Sequence, residues 1–198
     1  QPTVEGLANE LTALRALLHT DPLLNVRPPI VAGLGLIEQD ITGLQRVLSY
    51  GQIRLWTLEQ IDAGSGSYNA PTVLKLSGNL NIDALEYALR DVIDRHEPLK
   101  TFILNVEGQP QGYVQPLKPE IKLLALEDLS QNIPADRDAI LEKMIRSDSI
   151  ASFDLSRDLM VRARLIKLAE QEYILTIVMH HIAADGVSMN VFCSELTQ

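Results

Sequence analysis

Over residues 3–18 the apolar side chains of Val4, Leu7, Ala8, Leu11, Leu14, Leu17 and Leu18 recur at three- and four-residue steps, the pattern of one face of an amphipathic helix. Thr3 is placed to cap it, and Glu5 sets a negative charge in its first turn, where the helix dipole favours one. The pattern then stops. Pro22, Pro28 and Pro29, followed by Gly33 and Gly35, read as a connector, with a boundary near residues 20–35. A weaker helical pattern, interrupted by Gly43, covers residues 36–48.

Downstream, helical and strand periods alternate. Ser49 can cap a helix reaching Ile61, and the Gly, Ser and Asn cluster over 64–69 reads as a loop. Residues 72–76 alternate as a strand, Val73 and Lys75 on one face and Leu74 and Leu76 on the other. The clearest helix covers 81–96: Ile82, Leu85, Leu89, Val92 and Ile93 form a stripe, Asp83 sits in the first turn and Pro98 follows the end. Residues 99–106 and 112–117 flank the turn cluster Glu107-Gly108-Gln109-Pro110 and predict a hairpin, and 121–126 predict another strand. Pro134 opens a helix over 134–150. Strands over 161–168 and 172–179 flank a short turn, and a last helix starts near Val187. Such interleaving predicts an α/β (α+β) class: a mixed sheet flanked by helices, with an N-terminal helical extension.

Composition narrows the function classes. At 198 residues, 46% hydrophobic and 22% charged, the chain can bury a core and is not a disordered or low-complexity polymer. The net charge of -9, without a concentrated basic patch, argues against nucleic acid as a partner. Cys193 is the single cysteine, so neither a disulfide framework nor a Cys-based zinc site is expected, and a reducing, cytoplasmic setting follows. The N-terminus lacks the features of a secretory signal, and no apolar run approaches the roughly 20 residues of a membrane span. Both ends of the chain fall within helical patterns and read as cuts.

Ionisable residues crowd against an apolar strand at one place, His180-His181-Ile182-Ala183-Ala184-Asp185-Gly186. Successive strand residues face opposite ways, so His180 and His181 enter different clefts, which argues against joint chelation of a metal. An imidazole at a strand end, followed by a sharp Asp-Gly turn into a helix, is suited to proton transfer at neutral pH. Amides opening that helix could stabilise negative charge. Read from the residues alone, the alternative of two structural histidines with Asp185 as a helix cap stands equally.

The string from Met179 to Ser188 resembles the HHxxxDG motif of condensation domains from nonribosomal peptide synthetases, relatives of chloramphenicol acetyltransferase. Ser49-Tyr50-Gly51-Gln52-Ile53-Arg54-Leu55-Trp56-Thr57-Leu58 resembles that family's SxAQxRLWxL, with Gly51 for alanine. Arg95-His96-Glu97-Pro98-Leu99-Lys100-Thr101-Phe102-Ile103 resembles RHExLRTxF, with Lys100 for arginine and Ile103 for phenylalanine. Tyr68-Asn69-Ala70-Pro71, and Phe153-Asp154-Leu155-Ser156 with Arg162-Ala163-Arg164-Leu165, are also similar to family strings. The opening Pro2-Thr3-Val4-Glu5-Gly6-Leu7-Ala8 is similar to the last helix of a peptidyl carrier domain. The expected organisation is a carrier-domain helix over 1–20, a linker over 21–48, and the N-terminal lobe of a condensation domain over 49–198, its second lobe absent.

The resemblance implies amide bond formation, in which a carrier-bound acceptor amine attacks a carrier-bound donor thioester. His181 is then the catalytic histidine, as base or as positioner of the amine, and His180 supports it structurally. Asp185 would form an ion pair with Arg95, and Gly186 would let the amine approach. Trp56, Leu55 and Phe102 are assigned to packing, Gln52 and Arg54 to framework hydrogen bonds. At position 100, lysine keeps the charge of arginine but loses its bidentate fork. Neither a bound cofactor nor a metal is expected; the substrates would arrive on the 4'-phosphopantetheine arms of upstream and downstream peptidyl carrier domains. Three alternatives stay open: a coenzyme A dependent O-acyltransferase, an epimerisation relative, and a structural fragment inactive by itself.

Overall fold

The computed structural model describes residues 37–38, 44–62 and 66–197. The chain divides into units Gln1–Leu34 and Gly35–Gln198, and all described residues belong to the second. The predicted helix over 3–18 and its connector lie outside them.

Two four-stranded sheets form the second unit. The first has the order β1 (Ile37–Glu38), β2 (Leu44–Arg46), β5 (Gln109–Val114), β4 (Thr101–Val106), all neighbours antiparallel. The second runs β3 (Asn69–Ser77), β8 (Glu172–His180), β7 (Val161–Ala169), β6 (Leu124–Asp128). Only its β6–β7 pair is parallel, and the helix α3 (Pro134–Ile150) supplies the crossover that a parallel pair requires. The remaining described helices are α1 (Tyr50–Ile61), α2 (Ile82–Arg95) and α4 (Gly186–Leu196), with a 3-10 turn at Glu97–Lys100.

Several elements depart from the sequence reading. Where a helix is expected over 36–48, the described residues Ile37–Glu38 and Leu44–Arg46 form strands β1 and β2, because Leu44, Gln45 and Arg46 find backbone partners in Val114, Tyr113 and Gly112; tertiary pairing overrides a weak local pattern. The expected mixed sheet is present as the second sheet. The hairpin turn is tighter than expected: Glu107 and Gly108, at φ 52° and 82°, form it alone. Two successive left-handed residues match the twist of the flanking strands, so β5 starts at Gln109. Pro110 lies beyond the residues paired with β2, where its missing N–H costs no ladder bond. β6 also starts later than expected, at Leu124, with Glu86 of α2 accepting from the Leu123 and Leu124 N–H groups at 3.0 and 2.9 Å.

The main core lies between the second sheet and helices α2 and α4. Leu89, Val92 and Ile93 of α2 pack with Leu175, Ile177 and Met179 of β8 and Phe192 of α4, each buried side chain contributing about 1.5–3 kcal/mol. A second cluster joins the sheets: Ile103 of β4 and Val178 of β8 share it with Leu48, Phe153, Leu155, Met160 and Ile182, and Leu55 and Trp56 of α1 pack against it. Strand β8 therefore buries both faces, and the histidine pair stands at its end.

Candidate active site

The side chain of His180 turns into the second cluster and is 1% exposed. Its ring meets Phe153 and Tyr68 edge-on, with centroids 5.7 and 6.3 Å away. The Ile182 N–H donates to its Nδ1 at 3.1 Å, and its Nε2 lies 3.1 Å from Glu59 Oε1. Burial holds this imidazole below its ordinary pKa, against the upward pull of Glu59; His181 and Arg162 add to the lowering.

His181 lies just past the strand and is exposed. Its backbone N–H donates to the Tyr68 carbonyl at 2.8 Å. Its Nδ1 is 3.2 Å from the Ala184 carbonyl oxygen. A carbonyl only accepts, so Nδ1 carries a proton, and in the neutral ring Nε2 then holds the lone pair. The alternation read from sequence therefore gives one buried and one open imidazole.

The turn from His180 closes with the Ala183 N–H donating to the His180 carbonyl at 3.0 Å. Asp185 then caps α4: its Oδ1 accepts from the Ser188 N–H at 2.8 Å and the Ser188 hydroxyl at 2.7 Å. These bonds, the backbone one first, hold its carboxyl below the usual range. Two expectations change as a result. The carboxylate occupies an amide at the start of α4, so that amide does not face outward to receive developing charge. The ion pair of Asp185 with Arg95 is not formed: Arg95 Nη1 lies 3.6 Å from Glu195 Oε2. His96 Nε2 meets the same oxygen at 2.7 Å, tying the end of α2 to the end of α4.

Gly186 has no heavy atom within 4 Å of where a Cβ would stand, so nothing in the local packing demands glycine there. Behind the turn lies a small cavity of about 230 Å³, lined by Met179, Ala183, Ala184, Val187 and Phe192 among others. It is below the size range of pockets that enclose a ligand, and His181, which does not line it, is exposed. Among the described residues no group of three His, Cys, Asp or Glu side chains could hold a metal, and no helix is long and apolar enough to cross a membrane.

Of the motif strings, the one that opens α1 reaches this turn by a side-chain bond. Ser49 and Gln52 form a reciprocal capping box at the start of α1, and Gln52 Nε2 also donates to the Ile182 carbonyl at 3.3 Å. Arg54 is exposed on α1, and its side chain has no hydrogen bond or ion pair among the described residues. Lys100 is buried, donating from Nζ to the Asp94 carbonyl at 2.6 Å and to the Asp94 carboxylate. Glu97 and Arg46 form a bidentate pair at 2.9 and 2.8 Å. Sequence reasoning passes over Glu59, the one residue of α1 that is buried. It lies three and four residues after Trp56 and Leu55, on the face they bury, and that spacing is the signal that could have found it.

The family profile described as Condensation domain matches residues 45–198. A linear gramicidin synthase protein of Brevibacillus parabrevis is 35% identical over 199 residues, covering 98% of this chain and 4% of that protein. A probable non-canonical nonribosomal peptide synthetase (NRPS), CymA, of Salinispora arenicola is 43% identical over 141 residues, covering 71% of this chain and 2% of that protein. Among solved structures, the first condensation domain of the calcium-dependent antibiotic synthetase, in complex with a substrate analogue, superposes with a TM-score of 0.69 at 26% identity, covering 77% of this chain and 36% of that one. The starter condensation domain of rhizomide synthetase superposes equally well at 22% identity. The architecture is thus the α/β lobe, sheets flanked by helices, of the chloramphenicol acetyltransferase-like fold.

Proposed function

We propose that this chain, which belongs to the condensation-domain family, carries the histidine-bearing part of an amide-forming site in a nonribosomal peptide synthetase. The observation that carries this reading is the exposed imidazole of His181, whose Nδ1 is engaged by the Ala184 carbonyl, so that Nε2 is the ring nitrogen left to meet a substrate.

In the proposed reaction, the nitrogen of a carrier-bound acceptor amine attacks the carbonyl carbon of a carrier-bound donor thioester, and the pantetheine thiolate leaves as the amide forms. Nε2 of His181 accepts a hydrogen bond from the attacking amine, orients it, and takes the proton that the new amide sheds. An α-amino group has a pKa of about 8 and is partly neutral at pH 7, so orientation supplies much of the effect. Gly186, where a Cβ would meet no heavy atom within 4 Å, is proposed to leave room for the amine. His180 and Asp185 act on the turn, one from the core and one from the helix start. Cytoplasmic carrier domains upstream and downstream are the partners in this reading.

The chain spans 36% of the solved condensation-domain chain from the calcium-dependent antibiotic synthetase and 4% of the gramicidin synthase protein. With His181 exposed, the remaining part of the condensation domain is proposed to close over it and enclose the two pantetheine arms. The test compares amide formation from carrier-bound thioesters by these 198 residues and by a longer protein that carries a complete condensation domain. The longer protein should turn over and lose activity with His181→Ala, while the shorter should be inactive. Turnover with coenzyme A thioesters and an alcohol, but not with carrier-bound amines, would replace this reading by an O-acyltransferase.

A further inference from the structure

We infer that Glu59 is a positioning residue of the histidine site: acting through His180, its carboxylate holds the turn that aims His181. The inference deepens the reading of His181 as the group that meets the amine, and rests on it.

The chain of contacts is continuous. A backbone N–H can only donate, so the 3.1 Å bond from Ile182 requires a lone pair on Nδ1 of His180. The neutral ring then carries its proton on Nε2, which donates to Glu59 Oε1 at 3.1 Å. A doubly protonated ring would set an N–H against the Ile182 N–H. Among the described residues Glu59 is the acceptor that Nε2 meets. Glu59 therefore selects the tautomer of His180, and that tautomer fixes the Ile182 amide. Ile182 follows His181 directly, and its carbonyl is held from the other side by Gln52. With Ile182 fixed at both its N–H and its C=O, the turn brings the Ala184 carbonyl to Nδ1 of His181. Helix α1 thus grips the turn at two places two helical turns apart, Gln52 and Glu59, both on one face. A glutamate serving burial alone has no reason to stand as the most buried residue of its helix, since an apolar side chain would fill that place without desolvation.

The experiment reads imidazole tautomers by long-range proton–nitrogen NMR in this chain, and turnover in the longer protein. The unaltered chain should show a scalar coupling between the Ile182 amide nitrogen and Nδ1 of His180, a single Nε2–H tautomer for His180 and a single Nδ1–H tautomer for His181. Glu59→Gln, whose amide oxygen still accepts, should keep all three and stay within about threefold of the parent kcat. Glu59→Met, without an acceptor, should leave His181 exchanging between tautomers and lower kcat by roughly 10- to 100-fold, as for a slightly misplaced reacting group, with little change in KM. If the Met variant keeps the His181 tautomer and the parent kcat, the inference is overturned. It is equally overturned if the unaltered chain lacks the coupling, a measurement that stands even if the Met variant does not fold. Full turnover by His181→Ala would instead remove the functional reading while leaving the tautomer results in place.

Discussion

Asp185 and Ser188 are joined twice, from the serine N–H and from its hydroxyl, both to the same carboxylate oxygen. A short polar side chain three residues ahead of its donor is the geometry of a helix cap, and here it takes the place of an ion pair reaching to α2. In this chain Asp185→Asn should fold as well as the parent, because an amide oxygen caps equally well. Asp185→Ala should lower the melting temperature by roughly a few degrees. Loss of cooperative unfolding in the Asn variant would show that a charge partner, and not the cap, governs this residue.

Stability should fall on mild acidification because of His180. Its folded pKa is depressed by burial, so below the ordinary value of about 6.5 the unfolded chain takes up a proton that the folded one refuses. The contribution is therefore complete above about pH 6.5 and is lost as the pH falls through that value, with a slope approaching 1.4 kcal/mol per pH unit at about room temperature. Denaturant titrations between about pH 7.5 and 5.5 measure it. His180→Gln, which cannot titrate, should be less stable at the upper pH and should show a flatter profile.

What the chain reveals about itself depends on how local the determinant is. Helix α2 is legible to within a residue because its start and its buried face are set by neighbours: Asn81 accepts from the Ala84 N–H at 3.0 Å, and Leu89, Val92 and Ile93 form the buried stripe. The histidine turn is legible for the same reason. Strands β1 and β2, of two and three residues, are not, since Leu44 acquires its strand character from Val114, far along the chain. The Asp185–Arg95 expectation fails because a residue three positions away meets the need first. Glu59 goes unread because a lone glutamate on a helix ordinarily faces water, and only the fold brings it to His180.

The Arg46–Glu97 pair joins β2 to the 3-10 turn after α2. Its bidentate geometry, chiefly the hydrogen bonds from Arg46, keeps the Glu97 carboxyl below its usual range. A depressed carboxyl contributes stability above its unfolded pKa, about 4.3, and loses it as the pH falls through the folded value. Glu97→Gln should cost about 1–2 kcal/mol at neutral pH, a charged hydrogen bond discounted for partial exposure, since Arg46 Nη1 is already buried without a partner. The loss should shrink below about pH 4. An equal loss at acid and neutral pH would assign the effect to packing.

Gly186 separates folding from chemistry. It occupies the first position of α4, where alanine is a better helix former than glycine by up to about 1 kcal/mol, and a Cβ there would meet nothing within 4 Å. Gly186→Ala should therefore leave this chain as stable as before, or slightly more so, by thermal melting. If Gly186 is kept to let the amine approach, the added methyl should lower turnover in the longer protein while the fold persists. Unchanged turnover would mean that the amine reaches Nε2 from another side of the imidazole. A destabilised variant would mean that glycine is kept for the backbone of the turn, and the approach to His181 would then need another determinant.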